Sequence, residues 1–123
     1  MGFTYHIDKA NGVVFTVWEG ELDVEAFEML QSALRDDPDF KPYYSVLTDL
    51  RGVTKTDINS KRMRQIAKNS PFDGSGRRAF VVGSDLMHGM SRVYQAYRDE
   101  GSDHMKQFRD MTEARKWLGL PLK

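Results

Sequence analysis

Residues 43–67, YYSVLTDLRGVTKTDINSKRMRQIA, read as strand, loop and helix, and the rest of the chain is organised around them. Ser45-Val46-Leu47-Thr48-Asp49-Leu50 is a short run rich in strand formers, and it ends at an acid, a base and Gly52. Asp57 is then placed to cap a helix from about Ile58 to Asn69, with Met63, Ile66 and Ala67 on one side and Lys61, Arg64 and Lys68 on the other. In an open α/β sheet, ligands and partners meet the protein at the carboxyl ends of the strands, so this segment also marks where function is expected.

Upstream, Phe3, Tyr5 and Ile7 alternate with Thr4, His6 and Asp8, and Asn11-Gly12 leads into Val13 to Trp18, which predicts a β-hairpin. Asp23 is a good N-cap, with Leu22 placed to pack on Phe27, for a helix that turns Val24, Phe27, Leu30 and Leu34 inward. Asp37-Pro38 ends it. Downstream, Ser70 to Gly76 has the most loop-like composition, but seven residues make a connection and not a domain boundary. Ala79 to Gly83 reads as a buried strand, and Ser84 or Asp85 caps a helix whose apolar stripe is Leu86, Met90, Val93, Tyr94 and Tyr97. Gly101 breaks that helix and His104 to Arg109 forms a last strand. Asp110 and Glu113 have capping-box spacing for a helix burying Met111, Ala114, Trp117 and Leu118, stopped by Gly119 and Pro121.

The order β-β-α-β-α-β-α-β-α predicts an α/β fold in one domain over residues 1–123: an N-terminal hairpin, then successive right-handed β-α units. The sheet is expected to be mostly parallel, with the helices stacked mainly on one face. The other face then keeps bulky apolar groups, Phe15 with Val17 or Val14 with Trp18, and this predicts a homodimer.

Eighteen basic and eighteen acidic residues give zero net charge, which removes the long-range pull of a nucleic-acid binder. The absence of cysteine excludes disulfides, thiolate metal sites and cysteine nucleophiles, and suits a reducing cytoplasm. No signal-peptide core opens the chain and no apolar run approaches the ~20 residues of a membrane span, so a soluble cytoplasmic protein is expected. His6, His88 and His104 lack ligand spacing, so no metal site is expected. No Gly-rich phosphate loop, nucleophile elbow or assembled Ser, His and acid set is present, so neither cofactor nor catalytic residue is assigned.

Val46 to Thr54, followed by Asp57 at a helix start, resembles the STAS domains and the bacterial anti-sigma-factor antagonists, the SpoIIAA-like family, and the resemblance covers nearly the whole chain. Gly83 to Tyr97 and Phe108 to Gly119 resemble its small stand-alone bacterial branch, which is also similar to the CRAL-TRIO lipid-binding fold. The resemblance implies a non-enzymatic regulatory or protein-interaction module. The alternative it implies is a carrier or sensor of an apolar small molecule or lipid. In the antagonists the acid is followed by serines, one of them phosphorylated by a partner kinase, and then by Gly. Ile58, Asn59 and Ser60 stand there in this chain, so that switch is not expected, and Ser60, Thr54 and Thr56 are the hydroxyls nearby.

The candidate binding residues are Asp49, Arg51, Asp57, Asn59, Ser60, Arg64 and Gly89. Asp49, Arg51 and Asp57 hold a polar ligand or partner backbone, or serve only as a turn pair and a cap. Lys61, Arg62, Arg64 and Lys68, joined by Arg77 and Arg78, receive a phosphate or an acidic partner surface, or form a solvated face. Gly89 permits close helix packing or opens room for a small apolar ligand. Seven methionines line an adaptable pocket or fill the core. Two placements follow: a protein partner on the stretch from Arg51 to Ser60 and the basic helix face, or an apolar ligand between the Leu86 to Tyr97 helix and the sheet.

Overall fold

A computed structural model describes residues 2–98 and 104–121, and the helix break expected at Gly101 lies outside them. The described residues form a five-stranded sheet in the order β1-β2-β3-β4-β5. Its strands are β1 (Gly2–Asp8), β2 (Val13–Leu22), β3 (Ser45–Thr56), β4 (Arg78–Val81) and β5 (Met105–Phe108), and only the β1–β2 pair is antiparallel. The hairpin turns where expected: Gly12 takes φ 65°, and the Asp8 carboxylate accepts from both the backbone and the side-chain amide of Asn11.

Four helices follow their strands: α1 (Val24–Asp36), α2 (Ser60–Lys68), α3 (Asp85–Arg98) and α4 (Met111–Trp117). The helices α1 to α3 pack on one face of the sheet, on Val14, Trp18, Val46, Leu50 and Phe80. Trp18 is the centre of that layer, with Phe3 4.9 Å away and Phe27 stacked on it at 5.2 Å. Helix α4 covers the other face at Leu47, Ala79 and Val81. It occupies much of the face on which the homodimer is expected, leaving Val17 39% exposed.

Local chemistry explains most boundaries. Asp23 caps α1 by accepting from the Ala26 N–H at 2.7 Å, and Asp110 caps α4 by accepting from Thr112. Helix α4 ends in a Schellman motif: Gly119 at φ 75° donates to Lys116, and Leu120 donates back to Arg115. Ser84 caps α3 through the Met87 N–H.

Four expectations need correction. The central strand does not stop at Leu50 but runs to Thr56, because two register shifts against β2 let Glu19–Leu22 keep pairing with Gly52–Thr56. Asn59, and not Asp57, caps α2, accepting from the Arg62 N–H at 2.9 Å. Ile58 is buried just before the cap and Met63 is buried four residues after it, the spacing of a hydrophobic staple, which sets this register. Arg78 does not join the basic surface; it is 2% exposed and lies over the Phe72 ring.

The fourth correction concerns α3. Its buried residues are Met87, Ser91 and Tyr94, whereas Leu86 is 59% exposed and Val93 and Tyr97 are 37% exposed each. Of the stripe expected in the core, Tyr94 is buried and Met90 partly buried, while Leu86, Val93 and Tyr97 are turned away from the sheet. Gln95 is half-buried, bonded to the Met105 carbonyl and to Gln107 of β5, so hydrogen bonding to β5 helps fix the helix rotation.

Two substitutions test this rotation by urea denaturation. Met87→Asp should cost several kcal/mol of the ~5 to 15 kcal/mol available to a domain, and Val93→Asp less than ~1 kcal/mol. Two glycines test the packing. A Cβ on Gly76 would sit 2.5 Å from the Tyr44 carbonyl oxygen, so Gly76→Ala should destabilise by about 1 to 3 kcal/mol. A Cβ on helical Gly89 meets nothing within 4 Å, so Gly89→Ala should stabilise by about 0.5 to 1 kcal/mol.

Candidate functional site

Adjacent parallel strands β3 and β4 feed α2 and α3, so the two helices run side by side in the same direction with their N-termini together. Between those N-terminal halves lies a groove of about 560 Å³. Ile58 and Met63 come from the α2 side and Leu86, Met90 and Val93 from α3. Ile58 and Met63 are 6% and 7% exposed and form the floor, while Leu86 and Val93 stand open to solvent. Asn59, Ser60 and Asp85 supply the polar end and Gly89 a low stretch of wall. At the far end, the Arg64 guanidinium lies 5.3 Å over the Tyr97 ring.

The polar groups of the groove are largely committed to structure. The Asn59 side chain caps α2, Asp85 takes a 2.6 Å ion pair from Arg109, and Asp57 at the margin lies 3.7 Å from Arg62. Ser60 is exposed at the first helical position of α2. Arg98 donates to the carbonyls of Ala67 and Phe72 and ties the C-terminal end of α3 to the end of α2. The far end of the opening is thus held by contacts that do not involve its apolar walls.

The candidates divide between two faces of the sheet. Asn59, Ser60 and Gly89 line the groove, Arg64 closes it and Asp57 stands beside it. Asp49 and Arg51 do not belong to it. Asp49 alternates with Leu47 and pairs with Val81, so it lies on the α4 side. Its Oδ1 accepts from the Arg51 backbone and Nε, and its Oδ2 from Nη2 at 2.9 Å. Burial pushes the Asp49 carboxyl upward, but the hydrogen bonds from Arg51 outweigh it and hold the carboxyl below its ordinary range. The Arg51 guanidinium is correspondingly raised, chiefly by its bonds to Asp49.

Ile58, Met63, Leu86, Met90 and Val93 carry most of the groove; Ile58, Leu86 and Val93 read as ordinary core, and Met63 and Met90 only as members of the methionine set that lines a pocket or fills the core. A signal for them exists in the spacing of Ile58 and Met63 as a staple. Another is the apolar surface of α3, which covers more of the helix than one buried face needs. The space between α3 and the sheet, the alternative placement for an apolar ligand, contains a cavity of about 30 Å³ beside Thr48, Phe80, Met87 and Tyr94, and one of about 40 Å³ lies mainly under α1 beside Trp18 and Leu34. Those are water-sized, against the ~300 to 1,000 Å³ of ligand pockets. Among the described residues no group of three or more His, Asp or Glu comes together to hold a metal ion, and no helix is long and apolar enough to cross a membrane.

The same architecture occurs in a solved structure from Shewanella loihica PV-4, an uncharacterized protein from the DUF3478 family with a SpoIIAA-like fold. It superposes with a TM-score of 0.62 over 95% of this chain and 94% of that one, at 20% sequence identity. The chain has the SpoIIAA-like fold. No protein-family model matches the sequence, and no curated protein does. In this chain the parallel β3–β4 pair places the N-terminus of α2 beside that of α3, and the junction is filled with apolar side chains.

The Asp49–Arg51 pair makes a pH-dependent prediction. A carboxyl lowered in the folded state contributes stability that is complete above its unfolded pKa of roughly 3.9 and is lost as pH falls through the folded value. The stability advantage of the native chain over Asp49→Asn should be constant above about pH 5 and shrink on acidification below about pH 4. Paired thermal melts across that range measure it.

Proposed function

We propose that this chain is a non-enzymatic binding module of the STAS kind that receives a protein partner in the α2–α3 groove. The observation that carries the reading is the exposure of Leu86 at 59% and of Val93 at 37%, both on the α3 wall beside a buried apolar floor. Apolar side chains around a concave floor gain stabilisation only when something covers them, and exposed patches of this kind mark interaction sites. The polar groups nearby are engaged in capping and ion pairing, which favours binding over chemistry.

A second reading is favoured by one observation, the groove volume of about 560 Å³, which falls within the range of small-molecule sites. In that reading the occupant is an apolar small molecule or lipid lying in the groove on the surface of the domain. The groove is open along its α3 wall, whereas sites for such ligands bury ~70 to 90% of the ligand surface, so the protein partner is preferred.

A photo-crosslinking amino acid placed at Val93 tests the reading in cells of the source organism, with Lys116 on the opposite face as the control position. A discrete protein adduct from position 93, lost on adding Leu86→Asp and missing from position 116, is the expected outcome. A chain that forms no protein adduct and yields a stoichiometric lipid on solvent extraction would establish the second reading instead.

A further inference from the structure

We propose that the element docked in the groove is an acidic amphipathic α-helix laid along the seam of α2 and α3, an inference that rests on the protein-docking reading above. Length and spacing point to a helix. Leu86, Met90, Val93 and Tyr97 sit at i, i+4, i+7 and i+11, a ridge of about three turns and ~16 Å, the span of a short helix presenting the same periodicity. Gly89 and Ala96 stand on the outer flank of that ridge without large side chains, so a partner backbone can approach closely. The buried floor formed by Ile58 and Met63 makes the surface concave, which accepts a ridge of side chains better than a flat lipid surface.

Charge decides the sign of the partner. Helix α2, SKRMRQIAK, contains no acid; Lys61, Arg64 and Lys68 are exposed along its outer side, and Arg64 reaches over Tyr97 of α3 at the end of the groove. Among the described residues, no carboxylate lies within ion-pair distance of these three cations. The acids nearest the groove are already taken, Asp57 by Arg62 and Asp85 by Arg109. The chain as a whole is neutral, so this strip is a local asymmetry beside an apolar ridge. Its complement is a helix with an apolar stripe and glutamates or aspartates on the flank that meets α2.

The test uses synthetic blocked peptides of about 14 residues with leucines at helical spacing and a flank of either glutamates or lysines, titrated into the folded chain. Backbone amide shifts map the site. The glutamate peptide should bind roughly tenfold tighter than the lysine peptide at low salt, with shifts confined to α2 and α3, and the difference should shrink at high salt. Leu86→Asp should weaken both peptides, and the pair Arg64→Glu with Lys68→Glu should reverse the preference, with circular dichroism confirming that each variant is folded. Equal affinity for the two peptides, no binding, or a preference for phosphatidylglycerol vesicles or dodecanoate over the glutamate peptide would overturn the proposal. A crosslinked protein at Val93 together with failure of the glutamate peptide would sink the acidic helix alone. Loss of both would sink the docking reading as well.

Discussion

Five consecutive buried residues, Val46 to Leu50, set the constraint on which this structure depends. Side chains alternate along a strand, so a run buried throughout must be covered on both faces and paired on both edges. β3 is therefore central, with β2 on one side and β4 on the other. Val46 and Leu50 belong to the layer under α1 to α3, and Leu47 to the layer under α4. A chain with helices on only one face would leave Leu47, Ala79 and Val81 in water. The crossing of α4 to the far side answers that cost, and three helices are left to share the larger face.

That sharing explains the groove. Parallel strands 4.7 to 4.9 Å apart carry helices about 8 to 10 Å apart, so helices following adjacent strands crowd unless one rotates or tilts. Here α3 turns Met87 and Tyr94 down onto the sheet, where Tyr94 meets Phe80 edge-on at 5.8 Å. A helix is only so wide, and turning that face down lifts Leu86 and Val93 toward α2. Arg98 then fastens the far end of the pair through the Ala67 carbonyl, leaving the N-terminal halves with apolar side chains that no third helix among the described residues covers.

The fold was legible in the sequence because its punctuation is local. Asn11-Gly12, the Asp23 and Asp110 caps and the Gly119 stop each act through one or two hydrogen bonds between residues close in sequence. The far half of β3 was not legible: Arg51 to Thr56 is polar and alternates weakly, and it is a strand only because β2 extends beside it through two register shifts. The candidate site was half legible. Asn59, Ser60 and Arg64 carry polar signals, but the apolar wall did not announce itself, because Leu86, Met87, Met90, Val93, Tyr94 and Tyr97 occupy two adjoining arcs of one helix. Periodicity says that such a helix has a wide apolar surface and not which arc the sheet takes. Buried Ser91 on the winning arc and exposed Leu86 on the losing one invert the usual preference.

The acids Asp49 and Asp57 illustrate why residue type alone is a poor guide to a site. Asp49 and Asp57 both looked able to meet a partner, yet Asp49 is saturated by three bonds from one arginine on the far face of the sheet. A carboxylate so paired gains little from a new ligand, since any new bond must replace one already made. Asp57 lost its capping role to Asn59 because Ile58 and Met63 gain more by burying together than the acid gains at the helix end: a staple of two large apolar groups against a cap that either Asn or Asp can supply. The same burial that fixes the start of α2 lays the groove's floor, so the register of the helix and the presence of the groove are one event. A substitution that moved the cap back to Asp57 would remove the floor along with it.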